Sequence, residues 1–195
     1  MEDLSAQYWD KRYLNDDATW DLGGPSAPLK AYIDQLTDKN TRILIPGAGN
    51  AYEAEYLHRL GFTEVYVLDI AEVAFRNIRE RIPFFPPEHL LLEDFFNHQG
   101  QYDLILEQTF FCALNPALRK SYVSKMNELL KPGGTLAGVL FDDTLNHDKP
   151  PFGGTRQEYE GLFFPAFTTK VFAPCYNSIK PRAGRELFMI LKNNP

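Results

Sequence analysis

The sequence predicts a doubly wound α/β domain, built on a mostly parallel sheet that ends in an antiparallel hairpin. Between Arg42 and Phe141, short apolar runs bounded by glycine and proline alternate with segments of helical periodicity. This alternation is typical of parallel strands joined by crossover helices. The last two apolar runs, Thr168–Ala173 and Glu186–Leu191, are joined too tightly for a crossover helix, so we expect them to pair antiparallel.

The individual elements follow from apolar periodicity and from glycine and proline breaks. Two helices are expected ahead of the first strand, near Ser5–Leu14 and Ala27–Leu36. The parallel strands are predicted at Arg42–Ile45, Glu64–Asp69, Leu90–Leu92, Tyr102–Leu106 and Thr135–Phe141, the last of them after a turn at Pro132–Gly134. Further helices are predicted at Ala51–Leu60, around Ala74–Ile82, at Pro116–Leu130 and at Gln157–Phe163.

The chain of 195 residues, 44% hydrophobic and 24% charged, suits one domain with its own core. We expect residues 1–195 to form this single domain. Residues 1–40 then supply the N-terminal helices and a lid segment, and residues 41–195 supply the Rossmann-like core. The oligomeric state is left open between a monomer and a homodimer.

Composition and charge disfavour several classes of function. The net charge is −6 and no dense Lys/Arg run is present, so neither nucleic acid nor an anionic membrane surface is the expected partner. Cys112 and Cys175 are too few for a disulfide framework and fit no zinc spacing, so no metal site is expected. No run reaches the ~20 apolar residues of a membrane span, and the first residues are polar. A cytoplasmic location is the expectation.

The strongest candidate site is the turn that follows the first predicted strand. Gly47, Ala48 and Gly49 lead abruptly into a helix, and glycine at such a turn lets the backbone approach a ligand. Asp69 ends the second strand 20 positions after Gly49, where a carboxylate can accept hydrogen bonds from a ribose diol. The alternatives are a tight turn without ligand and, for Asp69, a helix cap.

The glycine pattern disfavours a dinucleotide. The dinucleotide fingerprint G-x-G-x-x-G requires a third small residue, and Tyr52 stands at that position. An NAD-type oxidoreductase is therefore the weaker enzyme hypothesis. A sulfonium nucleoside has no phosphate, so the missing glycine does not count against it.

Two further strand ends carry candidate residues. Glu93, Asp94 and Phe95 follow the third strand, where an acid and an aromatic ring can contact an adenine. The segment Gln108–Leu114 follows the fourth strand, over the ligand-binding edge of an open α/β sheet. Within it, Phe110 and Phe111 either pack on a bound ligand or belong to the core.

Taken together, the motifs resemble the thiopurine methyltransferase family, and most closely its halide, thiocyanate and thiol methyltransferase branch. The segments that carry the resemblance span nearly the whole chain and read WDLGGPSAPL, IPGAGNAYE, TFFCALNPALR, LLKPGGTL, PPFGG, EYEGLFFPAF and IKPRAGRELF. The resemblance implies a class I methyltransferase with a seven-stranded sheet. It also implies S-adenosylmethionine as methyl donor, S-adenosylhomocysteine as product and a small-molecule acceptor.

Residue by residue, the resemblance implies that Trp9 and Trp20 close over the cofactor as parts of a lid. Gly47 and its loop, with Ala48 and Gly49, are expected to hold the methionine moiety. The ribose and adenine are expected at Asp69, Ile70, Asp94 and Phe95. Gln108 stands where relatives often carry Tyr or Arg, near the cofactor carboxylate or the substrate, and this departure leaves the acceptor open.

The expected reaction is an in-line displacement at the sulfonium methyl, for which alignment is the main requirement. A soft, small acceptor such as a thiolate, thiocyanate or halide needs no base, and a Phe-rich pocket is expected at Phe110, Phe111, Phe141, Phe152 and Phe163. An oxygen or nitrogen acceptor and a non-catalytic binding module are the alternatives. His147 is the candidate base by its ordinary pKa. Other loop candidates are Asp142, Asp143, Arg156, Arg182 and Arg185, the last two for attracting an anion.

Overall fold

The computed structural model describes residues 4–15 and 17–194 and contains the predicted seven-stranded sheet. Its strands, numbered in chain order, are β1 Ile43–Pro46, β2 Val65–Asp69, β3 Leu90–Leu92, β4 Tyr102–Gln108, β5 Leu130–Phe141, β6 Phe167–Pro174 and β7 Glu186–Asn193. They lie in the order β3-β2-β1-β4-β5-β7-β6. Strands β1 to β5 pair in parallel, and β7 pairs antiparallel with both β5 and β6. The predicted terminal hairpin is thereby confirmed.

Within the described residues, six α-helices flank the sheet: α1 Ala6–Leu14, α2 Ala27–Ile33, α3 Tyr52–Arg59, α4 Glu72–Arg81, α5 Arg119–Leu129 and α6 Arg156–Phe163. Alternate residues of each strand lie on opposite faces of the sheet, because successive side chains of a strand point to opposite sides. Ile43 and Ile45 of β1 pack with α2, α3 and α4 on one face. Leu44 of the same strand packs with α5 and α6 on the other.

The predicted turn at Pro132–Gly134 is wrong, because the structure places these residues inside β5. The strand already begins at Leu130, which pairs with Tyr102, and the register then shifts before Thr135 pairs with Leu104. Gly133 has a φ of +76°, a left-handed conformation that glycine adopts without strain. The residues that were expected to form a turn thus form an irregularity within a continuous strand.

The parallel arrangement brings the predicted site to one edge of the sheet. Strands β1 to β5 all end at this edge, and β7 begins there, since Phe141 at the end of β5 pairs with Glu186 at the start of β7. Ligands of open α/β sheets bind at the carboxyl ends of their strands. Among the described residues, no helix is long and apolar enough to cross a membrane.

Candidate functional site

A cavity of about 830 Å³ lies over the carboxyl ends of the parallel strands. This volume is within the range of small-molecule and cofactor sites. Eleven of the residues predicted as site candidates line it: Trp9, Trp20, Gly47, Asp69, Ile70, Asp94, Phe95, Phe110, Phe141, Arg182 and Arg185. Following the expectation from the sequence, we call the part built after β1, β2 and β3 the cofactor end, and the part built after β4 and β5 and before β7 the acceptor end.

Asp69 is the buried carboxylate of the cofactor end. Its Oδ2 accepts the N–H of Gly49 at 3.2 Å, and its Oδ1 accepts the N–H of Ala71 at 2.9 Å. Burial raises the pKa of Asp69 to about 6, against the lowering effect of these backbone hydrogen bonds. This local turn contact is not a helix cap, because the N-cap of α4 is Ala71 and no side chain caps that helix. Asp69 also braces the glycine loop and lines the cavity.

Gly47 is a position where no side chain fits. Its φ of +57° is left-handed, and a Cβ atom built on it would lie 2.1 Å from Cδ2 of Phe110. Its N–H donates to the carbonyl of Leu68 at 2.7 Å, which ties the loop to the end of β2. The Phe110 ring thus packs directly on the glycine backbone at the wall of the cavity.

Polar contacts hold the rest of the glycine loop from outside the cavity. The Asn50 side chain donates to Asp21 in the segment before α2 and accepts from Asn77 of α4 at 2.6 Å. Arg81 of α4 donates to the backbone carbonyl of Asn50 and to Glu55 at 2.7 Å. The loop is therefore fixed against α4 and against the segment that leads into α2.

Three aromatic residues from the N-terminal segment cover the cofactor end. The ring of Trp20 packs edge-to-face against Trp9 and against Tyr13, with centroids 5.6 Å apart in each pair. The Arg12 guanidinium lies 4.6 Å from the Trp20 ring centroid. Nη2 of Arg182 donates to the Trp20 carbonyl at 3.0 Å, so this cover is attached to the acceptor end as well.

The arginines that line the cavity all have carboxylate partners. Arg182 is buried, lies 3.5 Å from Glu186 and has its guanidinium 5.3 Å from the Phe141 ring centroid. Arg185 pairs with Asp143, and Arg12 pairs with Asp17 at 3.1 Å. The positive charges of Arg182 and Arg185, which were expected to attract an anion, are thus largely neutralised by carboxylates of the protein itself.

Several predicted residues do not line the cavity. Phe111 and Phe163 are buried in the core, and Phe152 is buried while its N–H donates to the carbonyl of Cys112 at 2.7 Å. Ala48 and Gly49 are outside the lining, although a Cβ atom on Gly49 would lie 3.1 Å from the Tyr13 hydroxyl. Gln108 is also outside it and has a buried Oε1 with no hydrogen-bond partner among the described residues. The loop candidates Asp142, His147 and Arg156 are exposed and also lie outside the lining.

Comparison with known proteins agrees with this geometry. The thiopurine S-methyltransferase family profile matches residues 4–186. The chain belongs to this family. A probable thiol methyltransferase 2 of Arabidopsis thaliana is 30% identical over 192 residues, covering 95% of this chain and 84% of that protein. Thiocyanate methyltransferase 1 of Brassica oleracea is 28% identical over 186 residues, covering 91% and 81%.

Solved structures show the same fold. The Burkholderia thailandensis 1,6-didemethyltoxoflavin-N1-methyltransferase aligns with a TM-score of 0.73 at 17% identity, over 97% of this chain and 87% of that one. NodS from Bradyrhizobium japonicum, an N-methyltransferase, aligns with a TM-score of 0.70 at 17% identity, over 99% and 100%. Family membership makes this chain an S-adenosylmethionine-dependent methyltransferase.

The structure adds lining residues that the sequence reasoning missed. Tyr13 follows Trp9 by four positions on α1, a spacing that places both on one helix face and was available as a signal. Thr109 and Cys112 also line the cavity, and Thr109 has a left-handed φ of +59°. Nothing in the sequence around Thr109 marks this conformation, because it depends on what the following residues contact.

Proposed function

We propose that this methyltransferase transfers the methyl group of S-adenosylmethionine to a small, soft nucleophile, first of all the sulfur of a thiol that reacts as its thiolate. Thiocyanate and halide anions belong to the same class of acceptor. One observation carries the proposal. Among the described residues that line the cavity, the only carboxylates are Asp69 and Asp94, both at the cofactor end, and no histidine is present.

The absence of a base matters because acceptors differ in how they lose their proton. An alcohol or a protonated amine needs a general base near the reacting atom. A thiol with an ordinary pKa of ~8.5 is partly ionised in neutral water, and thiols of lower pKa are mostly ionised. Thiocyanate and halides are anions already. The lining at the acceptor end, with Cys112, Leu114, Phe141 and Leu145, suits such acceptors.

The cofactor end fits S-adenosylmethionine. In this proposal Asp69 accepts from the ribose, and Ile70, Asp94 and Phe95 border the adenine. The backbone of Gly47, Ala48 and Gly49 approaches the methionine moiety, where Gly47 leaves no space for a Cβ atom. Trp9, Tyr13 and Trp20 form the lid. Gln108 contributes to cofactor binding from a position outside the cavity lining. When bound, the cofactor supplies an activated methyl group on a positively charged sulfur.

The chain's own residues contribute alignment and exclusion of water. The paired aromatic rings of Trp9, Tyr13 and Trp20 cover one side of the cavity. Phe110 and Phe141 border it at the ends of β4 and β5. Alignment of two reactants in a dry site accounts for a large part of the rate of a displacement that needs no proton transfer. The thiol and thiocyanate methyltransferases among the relatives support this acceptor class.

Calorimetric titration with S-adenosylhomocysteine, with NAD as the comparison ligand, tests the cofactor assignment. We expect micromolar binding of S-adenosylhomocysteine and none of NAD. Asp69→Ala should weaken binding by about tenfold to a hundredfold, the scale of a lost hydrogen bond to a charged group. The exposed Asp38→Ala variant is the control and should bind like the wild type. Equal binding by both variants would remove Asp69 from the site.

A panel of acceptors tests the second half of the proposal. Hydrosulfide, an aryl thiol, thiocyanate and iodide are compared with the matching phenol and with benzylamine, which is mainly protonated at neutral pH, at one concentration of methyl donor. We expect turnover of the sulfur or halide acceptors and little of the other two. Turnover of only the phenol or the benzylamine would contradict the proposal. We further propose that the acceptor is a small molecule rather than nucleic acid. We also propose that the enzyme is cytoplasmic, and cell fractionation tests this location.

A further inference from the structure

Glu107 is a buried carboxyl group beneath the acceptor end. It is the next-to-last residue of β4, is fully buried and does not line the cavity. Removing a carboxyl group from water is costly unless hydrogen bonds satisfy it. The hydrogen bonds that Glu107 accepts therefore indicate its role in the structure.

Three donors converge on this side chain. Its Oε1 accepts the N–H of Phe110 at 2.8 Å and the N–H of Phe111 at 3.0 Å. Its Oε2 accepts the hydroxyl of Tyr122 from α5. On the neighbouring strand, Gly138 leaves the necessary room, since a Cβ atom there would lie 2.5 Å from Cβ of Glu107. One side chain thus joins the end of β4, the following turn and α5.

The turn that Glu107 holds is the strained one at the cavity wall. Thr109 has a φ of +59°, which is unfavourable for a β-branched residue. The next residue, Phe110, packs its ring on Gly47 and lies 5.2 Å from the Phe95 ring centroid. Strain of this kind persists when the surrounding contacts over-determine it. Here the two amide hydrogen bonds to Oε1 are those contacts.

We propose that Glu107 is a positioning residue for methyl transfer, which holds the Thr109–Phe111 turn so that the Phe110 ring stays on Gly47 at the cavity wall. The identity of the bound ligand in this inference rests on the proposed function. The role depends on the reach of Oε1, because this single atom accepts both amides. Negative charge is not required for it.

Two conservative variants separate reach from charge. Glu107→Gln keeps an oxygen acceptor at the same distance from the backbone and removes the charge. Glu107→Asp keeps the charge and withdraws the oxygens by one methylene. Phe110→Ala removes the ring that the turn presents and leaves Glu107 in place. Leu57→Ala, in the buried face of α3 and outside the cavity lining, is the control for general destabilisation.

Titration calorimetry with S-adenosylhomocysteine and steady-state kinetics are measured on all four variants below their melting temperatures. We expect Glu107→Gln to stay within about threefold of the wild type in both. Glu107→Asp and Phe110→Ala should lose about tenfold to a hundredfold in kcat, the scale of a displacement of about 1 Å in a reacting geometry. Binding should weaken in the same two variants, and Leu57→Ala should change neither quantity.

Equal or better function of Glu107→Asp than of Glu107→Gln would overturn the inference, because charge rather than reach would then matter. A loss in Leu57→Ala as large as in Glu107→Asp would also overturn it, since the effect would be general destabilisation. A wild-type chain that binds no S-adenosylhomocysteine would remove the proposed function itself, and this result is distinct from either of the others.

Discussion

The two ends of the cavity are built in different ways. The cofactor end consists of short segments that directly follow neighbouring parallel strands, and its central contact joins Gly49 to Asp69 through one hydrogen bond. The acceptor end combines the ends of β4 and β5 with loops from far along the chain. There Arg182 donates a hydrogen bond to the carbonyl of Trp20, 162 residues away in sequence.

The difference teaches that the two ends reach specificity by different means. At the cofactor end, backbone conformation and one buried carboxylate decide what fits, so few residue types are allowed. At the acceptor end, Arg182 and Arg185 are balanced by Glu186 and Asp143, which in the proposed function leaves shape and apolar contact to select the acceptor. The effects of substitutions on stability and on ligand binding should therefore be separable at the two ends.

The largest effect on stability is expected at Arg182. Arg182→Met leaves Glu186 buried without its cation, and breaking a buried ion pair costs about 3–5 kcal/mol of unfolding free energy. Arg185→Met is the matched variant, because its pair with Asp143 is partly exposed, and it should cost about 1 kcal/mol or less. Urea unfolding of both measures the difference. Equal losses would show that burial does not distinguish the two pairs.

Gly47→Ala should be next in size. The new Cβ atom would collide with the Phe110 ring, and a left-handed φ costs a side-chain-bearing residue about 1–2 kcal/mol by itself. Thermal unfolding should show a loss larger than this strain alone. Phe110→Ala removes the ring, so Gly47→Ala should cost less stability in the Phe110→Ala background than in the wild type. An equal cost in both backgrounds would refute the close approach of the ring.

Two buried carboxyl groups, Asp69 at the cofactor end and Glu107 beneath the acceptor end, should also give a characteristic pH dependence. Burial raises the pKa of Asp69 to about 6 and that of Glu107 to about 7, above their ordinary values of 3.8 and 4.5. The folded state then holds more protons than the unfolded state in this range. These two groups therefore make the unfolding free energy fall as pH rises from about 4 to about 7.

Binding of S-adenosylhomocysteine should change in the opposite direction, because the ribose is proposed to donate to ionised Asp69. Its affinity should improve as pH rises through about 6. Urea unfolding and calorimetry over this range, on the wild type and on Asp69→Asn, measure both trends. The Asn variant should flatten each of them. A wild type and a variant with identical pH profiles would exclude Asp69 as the titrating group.

The smallest effect is expected at His147, which is exposed and outside the cavity lining. His147→Ala should leave kcat within about twofold, as for most surface substitutions. Steady-state kinetics with a thiol acceptor measures this. A loss of a hundredfold would reinstate His147 as a base and would contradict the view that the acceptor end needs none.

The sequence by itself determined that the sheet is mostly parallel, that it closes with an antiparallel hairpin, and which residues end the first three strands. Periodicity identifies strands, and parallel strands end at one edge, so Gly47, Asp69 and Asp94 had to lie at that edge. The order of the strands, which makes these three ends neighbours, comes from the tertiary structure. The local sequence pattern predicts secondary structure less well where pairing with a neighbouring strand decides the conformation. The residues Pro132–Gly134 look like a turn, yet pairing with β4 draws them into β5.

Only the tertiary structure decided which aromatic residues line the cavity and which charges remain available. Phe110 and Phe111 are adjacent and chemically identical, and hydrogen bonds from both amides to Glu107 orient a turn that places the first at the cavity wall and the second in the core. The contacts of Arg182 with the Trp20 carbonyl and of Arg185 with Asp143 likewise join segments distant in sequence. Such contacts depend on three-dimensional proximity, which periodicity and local spacing do not encode.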